Sequence, residues 1–199
     1  SPDYGARTVR LVNLLVDRDF GLAAWAPAYL AGVPAFAALA RRRPPGWAAL
    51  ALPVAVGWAN ATWIALTMHG WWWPGRQLVV VLPLLVIALA WWCGTVLRWD
   101  RARSVFLAAT AFGVLAWTWL QVEVARGTRS VIWDFDGTTN PLGRAWRALL
   151  PDGRRWGAVD QVLLAAWTVA LAAGAAWAWR DAGRLRGGDE DAGAGERAD

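Results

Sequence analysis

The chain reads as an all-α, polytopic helical membrane protein with about five transmembrane helices and one long extracytoplasmic loop. Three observations predict this. Hydrophobic residues make up 57% of 199 positions and the mean hydropathy is +0.30, more apolar mass than a soluble domain of this size has reason to carry. The apolar residues fall into runs of about 20, the length that crosses a ~30 Å hydrocarbon core. Arginine clusters separate the runs, and many of the 18 tryptophans lie near their ends.

Taken in order, residues 1–19 form a leading segment outside the bilayer. The first span covers 20–40 and stops at Arg41, Arg42, Arg43 and the Pro44-Pro45 pair. Pro27 and Pro34 predict a kinked helix there, tolerable where neighbouring helices satisfy the freed carbonyls. The second span covers 47–67, the third 77–97, the fourth 105–125 and the fifth 158–179. The loop 126–157 separates the last two. The tail 180–199, "RDAGRLRGGDEDAGAGERAD", is Gly/Ala/acid low complexity and predicts disorder.

Orientation follows from arginine in the short loops. Arg41–Arg43, the group Arg98, Arg101 and Arg103, and the group Arg180, Arg184 and Arg186 fall on one side. That side is cytoplasmic, so the chain lies in a bacterial cytoplasmic (inner) membrane with its C-terminus inside. The "HGWWWPGRQ" turn and the 126–157 loop lie outside, although this loop carries six arginines. Trp71, Trp72, Trp73, Trp91, Trp92 and Trp99 sit at span ends, where amphipathic rings anchor to headgroups.

Composition also excludes functions. All 20 basic residues are arginine, a mark of a GC-rich bacterial genome, and the pI near 10.8 follows from arginines placed for membrane topology. Nucleic acid is therefore not an expected partner. One cysteine, Cys93, lies in an apolar run, which leaves neither a disulfide nor a thiolate metal site. The Asn60-Ala61-Thr62 sequon lies inside the second span and is discounted. The opening "SPDYGARTVR" has no initiator Met and no signal peptide, so the chain is expected to be the C-terminal portion of a longer protein.

Polar residues near the outer side supply the candidate site. Asp17, Arg18 and Asp19 precede the first span, as a local ion-pair network or as the lining of a polar cleft. His69, the only histidine, follows the second span, and Arg76 precedes the third. A guanidinium there either snorkels to the interface or binds a lipid phosphate bidentately. Glu123 lies within the fourth span, where an ionisable group marks function by default. "SVIWDFDGTTNPLG" resembles the aspartyl nucleophile loop of haloacid-dehalogenase phosphatases, with Asp134 as nucleophile and Asp136 as acid/base. About twenty residues before the next span leave no room for parallel strands and their crossovers, so a polar turn is the expectation. A weak divalent metal site at Asp134 and Asp136 stays open; no other cofactor is expected.

Three segments carry a family resemblance. "LLVDRDFGLAAWAPAYLAGVPA", "HGWWWPGRQLVVVLPLL" and "DGTTNPLGRAWRALLPD" resemble, in that order, segments of bacterial membrane proteins of the glycosyltransferase-C superfamily, of the family-39, dolichyl-phosphate-mannose mannosyltransferase type. The resemblance implies transfer of a sugar from a polyprenyl-phosphate donor, outside the membrane, by inverting displacement. It implies that Arg76 contacts the donor phosphate and that His69 and residues 17–19 border the cleft. It also implies a catalytic carboxylate in a preceding segment, so that this chain works with a missing N-terminal half or a partner membrane subunit. A lipid-linked-substrate transporter or flippase half, or a non-catalytic membrane subunit, remain as alternatives; no inverted repeat favours transport.

Overall fold

The computed structural model describes residues 3–66, 68, 75–97, 100–130 and 137–195, the last of these as backbone only beyond 184. The described residues are helical and contain no strand. Eight α-helices form in order: α1 (Tyr4–Arg7), α2 (Arg10–Val16), α3 (Gly32–Arg42), α4 (Trp47–Ala59), α5 (Leu82–Thr95), α6 (Asp100–Ala125), α7 (Pro141–Arg147) and α8 (Ala158–Gly195).

Among the described residues, three helical stretches are long and apolar enough to cross a membrane: Trp47–Ile64, Ala102–Ala125 and Ala158–Arg184. In the apolar 18-residue core of each, only 17%, 11% and 6% of the residues are buried within the protein. Val56 on α4, Val105 on α6 and Val169 on α8 are each more than 60% exposed. Helices apolar on every face and buried on almost none need hydrocarbon around them. The fourth apolar helix, α5, is shorter, at 14 residues, or about 21 Å at 1.5 Å per residue.

The first expected span is not one helix. Helical continuity begins only at Gly32, and α3 has 11 residues; before it the chain makes two 3₁₀ turns, Leu22–Ala24 and Pro27–Ala31. Pro27, lacking an N–H and fixed in φ, starts the second of these turns, and Pro34 sits in the first turn of α3. Such irregular backbone needs protein around it at membrane depth. Correspondingly Ala23, Ala24, Ala35 and Ala38 are almost wholly buried. α3 packs chiefly along α8 and then against α5, with Gly32 against Leu85 and Gly183 against Arg41.

α8 continues to Gly195, through residues that composition assigns to disorder. Ala178 and Ala182 are buried, and the Arg41 guanidinium lies 5.5 Å from the Trp179 ring centre, so α3 supports the end of the apolar stretch of α8. Trp92 is likewise a core residue, 4% exposed, and meets Trp177 edge-on at 6.1 Å; it does not anchor to headgroups. Trp71–Trp73 and Trp99 lie outside the described residues.

α1 and α2 lie across the far end of α4, where the helix widens into a π turn, Asn60–Ile64. Arg7 and Arg10 donate to the carbonyls of Trp63 and Ala65 at 2.6 and 2.9 Å, satisfying acceptors that the helix end leaves open.

Candidate functional site

Three polar segments far apart in sequence meet at one end of the helices. The link begins at Asp17, 1% exposed. Its Oδ1 accepts the N–H groups of Asp19 and Phe20 at 3.0 and 2.8 Å, making a tight turn after α2. Its Oδ2 accepts the Gly153 N–H at 3.1 Å. Arg18 continues the clamp. Its N–H donates to the Pro151 carbonyl at 2.8 Å. Its Nε and Nη2 donate to the Leu150 carbonyl, and its Nε also to that of Arg147. These are carbonyls just after α7, where a cation is favoured by the helix dipole. Arg18 Nη1 then reaches Asp152 at 3.7 Å.

The Gly75–Arg76 turn docks on the same segment. The Gly75 N–H donates to the Phe20 carbonyl at 3.1 Å, and Gly75 adopts φ +80° against Leu22. Only glycine enters that left-handed region freely, and a Cβ there would overlap the Leu22 side chain. Arg76 follows on a 3₁₀ turn, Arg76–Leu78, with its side chain exposed.

Glu123 organises the third segment. It is 6% exposed, yet both carboxylate oxygens are occupied. Oε1 accepts from the Thr139 N–H, the Thr139 hydroxyl and the Trp119 indole; Oε2 accepts from the Thr138 hydroxyl at 2.7 Å. A buried carboxylate satisfied by this many donors is a structural anchor. Asn140 then caps α7, its Oδ1 accepting from Leu142 and Gly143, with Pro141 in the first turn.

The loop between α7 and α8 is held by acidic residues. Asp152 Oδ1 accepts the N–H groups of Arg154 and Arg155 at 2.9 and 3.0 Å. Asp160, in the first turn of α8, accepts those of Asp152 and Gly157 at 2.8 and 3.0 Å. The outcome is a polar cleft of about 520 Å³ lined by Arg18, Arg144, Arg147, Arg154 and Arg155, with Asp19 and Asp152 at its walls. Arg154 lies over the Phe20 ring at 4.6 Å, and the largely buried Arg147 over Trp25 at 5.3 Å, arrangements that orient a guanidinium without using its N–H donors.

Apolar space adjoins this polar one. A groove of about 660 Å³ opens between α6 and the 3₁₀ turn Pro27–Ala31, lined among others by Leu30, Phe106, Phe112 and Trp146. Trp146 is fixed there by an indole donation to the Ala23 carbonyl at 2.7 Å and by edge contacts with Phe112 and Trp167. One short helix therefore borders both spaces: α7 places Trp146 on the apolar groove and Arg144 and Arg147 on the cleft.

Of the expected site residues, Arg18 and Asp19 line the cleft. Asp17 lies behind it as a buried anchor, and Glu123 anchors the adjoining loop. Arg76 docks beside Phe20 but is not among the residues lining the cleft. His69, Asp134 and Asp136 lie outside the described residues. The 126–157 loop contains α7, and the polar turn expected at Asp134 and Asp136 lies outside the described residues. Arg144, Arg147, Arg154 and Arg155 went unassigned because, counted as loop charge, they served only to weaken the topology argument. No family model, curated protein or solved structure matches the chain.

Proposed function

We propose that this chain is the C-terminal membrane portion of a glycosyltransferase that uses a polyprenyl-phosphate-linked sugar on the outer face of a bacterial cytoplasmic membrane. The observation that carries this reading is the double face of α7. An arginine cleft beside an apolar groove matches a ligand with an anionic head and a hydrocarbon tail. Arg76, whose contact with the donor phosphate the family resemblance implies, lies outside this cleft on the turn docked against Phe20.

In this reading residues 20–42 and α5 cross the membrane together with the three longer helices, giving five crossings. The 126–157 loop is outside and the C-terminus is cytoplasmic. The general base comes from a segment preceding this one or from a partner subunit. Asp17, Asp152 and Glu123 support that assignment, because their carboxylates already accept backbone or hydroxyl hydrogen bonds. The same observation favours, as a second reading, a non-catalytic subunit that presents lipid-linked substrate.

The test is transfer from a polyprenyl-phosphate sugar by the full-length protein. Arg76→Ala and Arg144→Ala should each abolish transfer while expression and unfolding stay unchanged. Normal turnover in both variants rules the phosphate role out. Loss of lipid binding with no transfer activity even in the unaltered protein supports the non-catalytic subunit.

A further inference from the structure

We propose that the arginine cleft is built for a diphosphate and not for a singly charged phosphodiester. The inference rests on reading the cleft as a phosphate site and replaces the donor class of the proposed function, since a polyprenyl-phosphate sugar is a phosphodiester, with a diphosphate-linked lipid. Five guanidinium groups face two carboxylates, an excess of three positive charges around about 520 Å³. A phosphodiester would leave most of that excess uncompensated. A diphosphate neutralises much more of it.

The arginines differ in what they have left to give. Arg18 spends Nε and Nη2 on the carbonyls of Arg147 and Leu150, so it contributes charge and the shape of the back wall. Asp152 spends one oxygen on the backbone N–H groups of Arg154 and Arg155 and turns the other toward Arg18, which holds the loop without pairing with the guanidinium groups of Arg154 and Arg155. Arg154 is oriented by the Phe20 ring face, which leaves its N–H groups for another acceptor. Arg144 and Arg155 are exposed and make no side-chain hydrogen bond or ion pair with the described residues. Each guanidinium offers a two-donor edge to a pair of oxygens. Three such edges exceed the two free oxygens of a phosphodiester and suit the larger set on a diphosphate.

The test uses the full chain in phosphatidylcholine nanodiscs, titrated with inorganic phosphate, inorganic diphosphate, a polyprenyl-phosphate sugar (the phosphodiester) and polyprenyl diphosphate. Inorganic diphosphate should bind at least tenfold more tightly than phosphate, and the polyprenyl diphosphate more tightly than the polyprenyl-phosphate sugar. The double variant Arg144→Ala/Arg155→Ala should lose at least tenfold in diphosphate affinity with an unchanged unfolding midpoint. Equal affinity for the two lipids overturns the diphosphate assignment and leaves the lipid-phosphate site standing. Diphosphate binding that the double variant does not weaken also overturns it. Binding of soluble diphosphate but of neither lipid keeps the charge assignment and removes the lipid-linked donor. Binding of none of the four overturns both.

Discussion

Asp17 and Gly153 are joined across 136 positions of sequence by one hydrogen bond, from the Gly153 N–H to Asp17 Oδ2 at 3.1 Å. The same carboxylate holds the Asp19 and Phe20 amides. It thereby fixes the chain leaving α2 and the loop entering α8 to a common point. Asp17→Ala would orphan all three donors in a buried setting, at a cost of about 3 kcal/mol. Asp17→Asn keeps an acceptor for the local turn and should cost less than half of that. Unfolding midpoints in detergent decide this, and an alanine variant as stable as the parent would contradict the anchoring role.

Glu123 makes a second prediction, read at single amides. Thr139 donates its N–H and its hydroxyl to the Glu123 carboxylate, and Thr138 its hydroxyl. In Glu123→Ala the Thr139 amide should exchange with solvent at least tenfold faster, equivalent to about 1.4 kcal/mol. Amides in the middle of α8 should not change. Uniform acceleration across the protein would mean that Glu123 supports the whole fold and not this loop.

Gly75→Ala tests the docking of the Arg76 turn. An alanine at φ +80° costs about 1–2 kcal/mol from the left-handed conformation alone. The overlap with Leu22 adds to it. Pairing the change with Leu22→Ala should recover the steric part and leave the conformational part. Because truncating the buried Leu22 by itself costs about 2–5 kcal/mol, the recovery is read as the coupling between the two changes, and zero coupling would show that Leu22 does not set the position of the turn.

The membrane assignment predicts a depth profile along α6. Val114 is 60% exposed near the middle of the apolar stretch, and Val122 lies close to its end. Val114→Arg should cost about 2.5–3.5 kcal/mol in insertion. Val122→Arg should cost much less, because its side chain reaches the interface. Insertion assays that return equal values for the two sites would argue against a bilayer around α6.

The legible part of this molecule was its solvent. Apolar runs and arginine punctuation locate α4, α6 and α8, because a lipid-facing helix is specified by its own residues and needs no partner. Helix α3 was less legible, since Pro27 and Pro34 announce a break without saying how much backbone remains helical. Asp17, Arg18 and Glu123 stood out as charged residues beside or within apolar segments. Their partners did not, since Gly153, Leu150 and Thr139 carry no local pattern that points back across the chain. The cleft arginines were hidden for a similar reason. A topology count weighs Arg144 and Arg155 as charges on a loop, and only folding of α7 against residues 18–20 turns them into one wall.

The break before α3 has a consequence for how the protein is made. α3 emerges early from the ribosome, while α8, the helix it packs against most closely, is synthesised last. At about 5–20 residues per second, more than a hundred residues of further synthesis take on the order of ten seconds. Through that interval α3, too short at 11 residues to span a bilayer alone, lacks the helix it packs against most closely, and α8 is the segment whose arrival completes its surroundings.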